Sequence, residues 1–129
     1  MTSNAKPIPT AEYDAVIAAA QHYFDSLKKA DRGLLEDAFH EDATMTGWFL
    51  NGTLSKGSYR DLYGYYKAYG PAVDIKARAD VIGMTPTTAV VRAEMEGTPD
   101  NPYVDFLTLI KVDGKWKIIS KVFHAYEKQ

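Results

Sequence analysis

The sequence predicts an α+β domain in which helices gathered early in the chain cover one face of an antiparallel meander of four long strands. Three observations carry that expectation. Apolar residues recur at helical spacing up to Phe39 and again from Ser58 to Tyr69. Two-residue alternation begins near Ala72 and persists toward the end of the chain. The stretch Tyr103 to Tyr126 reads as two β-branched, aromatic-rich runs joined at Asp113-Gly114. Asp-Gly between such runs favours a hairpin, because glycine accepts a positive φ without steric cost.

Residues 1–9, with two prolines among small polar residues, read as a flexible arm, and residues 10–129 as a single domain. Thr10 is the expected N-cap of a helix from Ala11 to Ala30, with Tyr13, Val16, Ile17, Ala20, Phe24 and Leu27 on one stripe. Asp31 caps a second helix, Arg32 to Phe39, with Leu34, Leu35 and Ala38 inward. A strand follows, Thr44 to Leu50, ended by the turn residues Asn51-Gly52. Ser55 or Ser58 then caps a third helix to Tyr69, carrying Tyr59, Leu62, Tyr63 and Tyr66, and Gly70-Pro71 stops it. From Ala72 to Gly83, Val73, Ile75, Ala77, Ala79 and Val81 alternate with Asp74, Lys76, Arg78 and Asp80. In the next strand Ala89, Val91, Ala93 and Met95 oppose Val90, Arg92, Glu94 and Glu96. The expected order is ααβαββββ. Ala and Val dominate the inward faces of these two strands, which leaves room between sheet and helices for a cavity.

The register of the terminal hairpin decides which of its side chains meet that cavity. A two-residue loop pairs Val112 with Lys115 and puts Tyr103, Asp105, Leu107 and Leu109 on one face with Trp116, Ile118, Ser120, Val122 and His124. A three-residue loop with Gly114 as a bulge pairs Lys111 with Lys115. Val104, Phe106, Thr108 and Ile110 then share the inner face with Trp116, Ile118, Ser120, Val122, His124 and Tyr126. The bulged form is favoured, because it collects the hairpin's four lysines on one side and a nearly continuous apolar set on the other.

Composition narrows the function classes. The chain of 129 residues is 46% apolar and 25% charged, with net charge −2, so it has no electrostatic footprint for nucleic acid or an anionic membrane. It contains no cysteine, which excludes disulfides and thiol chemistry and fits a cytoplasmic location. No apolar run approaches membrane-spanning length. Nine tyrosines and 12% aromatic residues raise the question of what they line.

The chain resembles the nuclear transport factor 2-like superfamily, and within it the SnoaL-like and lumazine-binding-type families. The resemblance rests on Tyr23-Phe24 followed by Asp31, on Phe39-His40-x-Asp42-Ala43, and on Asp105-x-Leu107-x-Leu109-x-Lys111 through Asp113-Gly114-Lys115-Trp116-Lys117-Ile118 to Lys121-Val122-Phe123-His124. It covers roughly residues 11–126. It implies a cystatin-like cone of curved sheet wrapped on three helices. It also implies either a small-molecule-binding domain or a cofactor-independent isomerase, dehydratase or cyclase; a dimeric scaffold with a vestigial pocket is the third class.

His124 faces inward in either register and is the candidate acid/base or ligand-orienting group, with a hydrogen-bonded wall histidine as the alternative. Asp105 joins it only in the two-residue register; in the favoured one it lies outside, opposite Lys121. Superfamily isomerases that carry a catalytic aspartate on these strands favour the first placement. Trp48, Tyr63, Tyr66, Phe106, Trp116, Ser120 and Tyr126 are the candidate lining of an apolar, aromatic pocket for a small hydrophobic or flat heteroaromatic ligand. Trp116, where the hairpin meets the helices, equally fits core packing. His40, Glu41 and Asp42 adjoin one another but lack a partner elsewhere, so no metal is expected, and no motif calls for a cofactor. The outer face of the hairpin, with Leu107, Leu109, Ile119 and Phe123, is the expected homodimer surface.

Overall fold

The structure is a computed structural model and describes residues 4–128. Helix α1 (Thr10–Lys29) and helix α2 (Arg32–Ala38) lead into β1 (Phe39–Trp48) and β2 (Leu54–Ser58). A 3-10 turn over Tyr59–Asp61 opens α3 (Leu62–Tyr69), and β3 (Lys76–Met84), β4 (Thr88–Glu96), β5 (Tyr103–Val112) and β6 (Lys115–Ala125) follow. The strands form one sheet in the order β2-β1-β6-β5-β4-β3. Every neighbouring pair is antiparallel except β1 and β6, which run parallel. The helices cover one face, as in the expected α+β cone.

The sequence signals for the helices are met locally. Asp31 accepts a hydrogen bond from the Leu34 N–H at 3.1 Å and so caps α2. Ser58, rather than Ser55, caps the 3-10 turn through the Arg60 N–H. Pro9, not Thr10, occupies the N-cap position of α1, without a side-chain cap. Strand β2 is the one element without a sequence counterpart. It is a short edge strand of Leu-Ser-Lys-Gly-Ser, with no alternating burial to betray it.

The core packs where α1 and α2 lie on the middle of the sheet. Val16, Ala20, Tyr23, Phe24 and Leu27 of α1 meet Ala89, Val91, Ala93 and Met95 of β4, with Leu107 and Leu109 of β5 and Ile118 of β6 beneath. Phe39 stacks on Tyr59 at 5.2 Å between ring centres and meets Tyr23 edge-on at 5.3 Å. Each large apolar side chain buried this way contributes about 1.5–3 kcal/mol before conformational entropy is counted. Edge strand β3 and the segment leading into it are covered less well: Ile75, just before the strand, and Ala79 and Val81 within it only border the core, and Val73 is exposed.

The hairpin corrects the expected register. Asp113 and Gly114 have φ of 51° and 76°, the pair of positive values that a two-residue type I′ turn requires. Val112 accordingly pairs with Lys115. The irregularity lies further on, where Thr108 pairs with Ser120 but Leu109 pairs with Ile118. Ile119 is thus an extra residue in β6, and such a bulge reverses the side-chain parity of the rest of the strand. The inner face therefore runs Leu109, Leu107 and Asp105 on β5, and Trp116, Ile118, Lys121, Phe123 and Ala125 on β6, all buried. Leu107, Leu109 and Phe123, assigned above to a dimer surface, are core residues, and Ile119 is half-buried at the bulge. The face that does look outward carries Phe106, Val122, His124 and Tyr126 instead.

Candidate functional site

Away from the Asp113-Gly114 turn, the sheet and helices part and enclose a cavity of about 120 Å³. Its walls are largely apolar. Tyr23 and Leu27 come from α1, Met45 from β1, Leu62 and Tyr65 from α3, Met95 from β4, Tyr103 from β5, and Lys121 and Phe123 from β6. Phe49, Ser55, Asp61 and Thr98 complete the lining, and the exposed Phe49 and Asp61 place the rim at the β1–β2 hairpin and the 3-10 turn. Gly47 makes the β1 wall fit: a Cβ there would come within 2.6 Å of the Phe123 ring. At the opposite rim, Tyr65 and Tyr103 both donate hydroxyl hydrogen bonds to Asp100, the first at 2.6 Å.

One charged group faces this interior from the sheet. The Lys121 side chain is only 8% exposed, and its Nζ lies 3.8 Å from Asp105 Oδ2, an ion contact longer than a hydrogen bond. Two rings flank it as well, with Nζ 5.1 Å from the centre of Tyr23 and 5.2 Å from that of Phe123. Asp105 sits behind the wall, fully buried, and does not itself line the cavity. The Tyr23 hydroxyl donates to Asp105 Oδ2 at 3.0 Å. Asp105 Oδ1 accepts no hydrogen bond among the described residues.

Electrostatics follow from that burial. Desolvation pushes the Asp105 carboxyl above its usual range, against the opposing pull of Lys121 and the Tyr23 hydrogen bond. Desolvation likewise lowers the Lys121 ammonium, although Asp105 and Asp100 act to raise it. Both directions favour the uncharged pair. Tyr23 is held as a protonated phenol, first by burial and then by the neighbouring Asp105. A buried ion pair is a poor stabiliser, since the cost of removing both charges from water rivals their attraction. A lysine and a carboxylate perturbed in this way beside a cavity form a candidate functional centre.

The expected site residues lie elsewhere, apart from Asp105. His124 is turned outward by the bulge, is exposed, and meets the Tyr126 ring edge-on at 4.7 Å. Phe106 and Ser120 follow the same parity onto the outer face, and Trp48, paired with His124, is 56% exposed there. Tyr63 stands outside α3, donating to Glu36 at 2.6 Å under the Arg32 guanidinium. Tyr66 is buried and bonds Ser26 at 2.7 Å. Trp116 closes the other end of the core by donating to Glu12. None of these lines the cavity. Sequence reasoning missed Lys121, Tyr23, Tyr65 and Tyr103. The helical spacing of Tyr23 from Ala20 and Leu27 was the available signal for the second of them; Lys121 was matched to Asp105 but placed outside with it, because burial arguments send lysine to water.

The model of the family described as "Putative lumazine-binding" matches residues 11–124. Aldolase FrzH of a Cladobotryum species is 42% identical over 125 residues, spanning 96% of this chain and 99% of that protein. Among solved structures, an NTF2-like protein of unknown function from Methylobacillus flagellatus KT superposes with a TM-score of 0.85 at 29% identity, covering 93% of this chain and 96% of the other. An NTF2-like protein of unknown function from Shewanella baltica OS155 gives 0.82 at 28%, covering 95% and 100%. Family and fold together mark a ligand-binding domain.

Proposed function

This chain belongs to the lumazine-binding-type family of the nuclear transport factor 2-like superfamily, and from that premise we propose that its cavity binds a small, mostly apolar carbonyl compound and makes or breaks a carbon–carbon bond beside the carbonyl, without a cofactor. The observation that carries this reading is the Tyr23–Asp105–Lys121 cluster, a lysine presented to an apolar cavity with a buried carboxylate behind it. Aldol chemistry needs an enol or enolate equivalent, and its difficult step is removal of a proton from carbon. A cationic or hydrogen-bonding group fixed beside the carbonyl oxygen, in a site shielded from water, stabilises the charge that develops there. Lys121 and Tyr23 are the polar groups of the deep wall suited to that role. The similarity to a protein named an aldolase supports the same chemistry. The apolar lining supports a compact hydrophobic substrate body, and Ser55, Asp61 and Thr98 offer polar contacts nearer the rim.

The direct test is incubation in heavy water with a panel of cyclic and aryl-alkyl ketones, followed by nuclear magnetic resonance of the α-protons, together with retro-aldol assays on the matching β-hydroxyketones. Enzyme-dependent exchange confined to one face of the α-carbon is the expected outcome. A protein that exchanges no ketone in the panel and cleaves no β-hydroxyketone would reduce this reading to a non-catalytic binding domain.

A further inference from the structure

We propose that Lys121 acts as a covalent nucleophile, condensing through Nζ with the carbonyl carbon of its substrate while Asp105, behind the wall, holds and returns the protons. The inference rests on the carbonyl reading above and deepens it. Geometry separates the two buried groups. Lys121 lines the cavity and Asp105 does not, so the carboxylate reaches a substrate only through Lys121 or Tyr23. Among the described residues Nζ makes no hydrogen bond: its nearest carboxylate oxygen is 3.8 Å away, and the Tyr23 and Phe123 rings flank it. Its lone pair is therefore available once the proton has passed to Asp105. Asp105 Oδ2, 3.8 Å from Nζ, is the nearest acceptor for that proton, and Oδ1 accepts no hydrogen bond among the described residues. Burial favours the neutral amine over the ammonium, and a lysine desolvated in an apolar pocket is an activated nucleophile.

The step balances without an oxidant or reductant. The neutral Lys121 amine adds to the carbonyl carbon; a C–N bond forms and the C=O π pair moves onto oxygen. That oxygen leaves as water, carrying one amine proton and the proton held by Asp105. The iminium keeps the second amine proton, and its positive charge faces the Asp105 carboxylate. The α-carbon then gives its proton to the Tyr23 oxygen as the Tyr23 proton passes to Asp105, a relay that the 3.0 Å hydrogen bond prepares. The resulting enamine attacks an aldehyde carbon; a C–C bond forms, the aldehyde C=O π pair moves onto oxygen, and that oxygen takes the proton returned from Asp105 through Tyr23. Water then hydrolyses the new iminium, releasing the product ketone and the Lys121 amine, and the proton set free returns to Asp105. Lys121 and Tyr23 are the catalytic residues in this scheme, and Asp105 is a positioning residue and proton store.

The probe is 2,4-pentanedione, a compact β-diketone that condenses with a neutral amine to a stable enaminone absorbing in the ultraviolet. The expected product is one adduct per chain, heavier by one diketone less one water, mapped by peptide mass spectrometry to Lys121. Its formation rate should saturate with diketone and reach a plateau below the ordinary lysine range. Absence of an adduct, or adducts on surface lysines with Lys121 unmodified, would overturn the covalent step. Lys121→Arg sharpens the result because it keeps a cation yet forms no imine. Loss of ketone α-proton exchange by at least about a hundredfold in a variant with unchanged circular dichroism supports covalency. Retained exchange in Lys121→Arg means that charge alone suffices, which sinks the covalent step and leaves the carbonyl reading standing. Absence of exchange in the unmodified protein removes both.

Discussion

Helix α1 meets the β5–β6 hairpin through two clusters built from nearly the same parts: a carboxylate, a lysine and an aromatic donor. Near the hairpin turn, Glu12 of α1 accepts from Lys111 Nζ at 2.8 Å and from Trp116 Nε1 at 2.7 Å. Both carboxylate oxygens are used, and the carboxyl and the ammonium remain partly in water. Toward the cavity, Asp105 of β5 faces Lys121 of β6 at 3.8 Å and accepts from Tyr23 of α1 at 3.0 Å. There one carboxylate oxygen has no hydrogen-bond partner among the described residues, and both side chains are out of water. The pKa directions divide accordingly. Hydrogen bonds from Lys111 and Trp116 hold Glu12 below its usual range, whereas desolvation holds Asp105 above its own. The same three residue types serve as a clamp where they are satisfied and hydrated. Where they are buried and incompletely satisfied, the charged state is disfavoured, which is the condition the proposed chemistry requires.

The largest effect should come from breaking the buried cluster on one side. Lys121→Met leaves Asp105 alone in the interior, and losing one member of a buried pair costs about 3–5 kcal/mol. Adding Asp105→Leu should return the unfolding free energy to the parental value or raise it by about 1–4 kcal/mol, since apolar replacement removes both desolvation costs. Denaturant unfolding of the parent, both single variants and the double variant measures this, and additive losses in the double variant would contradict the assignment. Ketone exchange should be lost in all three variants, separating activity from stability. Next in size is Tyr23→Phe. It removes the hydroxyl donor on Asp105 and leaves a second buried carboxyl oxygen without that partner, a loss of about 1–3 kcal/mol. Because Tyr23 takes the α-proton in the proposed relay, the variant should also lose ketone exchange. Since this hydrogen bond lowers the Asp105 pKa, the variant should raise that value further, so its deficit in unfolding free energy should shrink as pH falls through the carboxylate range. A deficit independent of pH would mean that Tyr23 does not govern Asp105.

Much of the architecture is legible in the sequence because it rests on periodicity. The alternation of Ala89, Val91, Ala93 and Met95 survives intact in β4, and Asp31 and Asp113-Gly114 mark a cap and a turn by their own chemistry. The site is less legible because it depends on one backbone irregularity. Ile119 is an ordinary strand residue, neither glycine nor proline, and nothing in its identity announces a bulge. Yet that bulge turns Lys121 and Phe123 inward and His124 outward, against the parity read from the turn. The size of Leu107 and Leu109 points to the core, but Val104, Phe106 and Ile110 offer an equally apolar opposite face. Apolarity on both faces of β5 removes the burial signal that normally fixes register. Lys121 is hidden for a deeper reason. Patterning finds residues that burial stabilises, and a functional lysine is one that burial penalises.

The smallest expected effect tests the hydrated cluster by its pH dependence. The folded-state value of Glu12 lies below the ordinary 4.5, so between those two values the unfolded chain binds more protons than the native one. Stability from this group is therefore complete above about pH 4.5 and is lost as pH falls through the lowered folded value. Asp105 has the opposite sign. Its folded value lies above the ordinary 3.8, so its contribution is complete below that pH and is lost as pH rises through the raised folded value. Glu12→Gln should thus lower the melting temperature at neutral pH, with the deficit shrinking as the medium is acidified past pH 4. Asp105→Asn should instead narrow its own deficit, or become stabilising, as pH rises from the ordinary carboxylate range. Melting curves for the two variants and the parent, recorded by circular dichroism across the acid range, measure both slopes in one experiment. Equal slopes of the same sign would show that the two clusters are electrostatically alike and would remove the physical basis for treating only one of them as reactive.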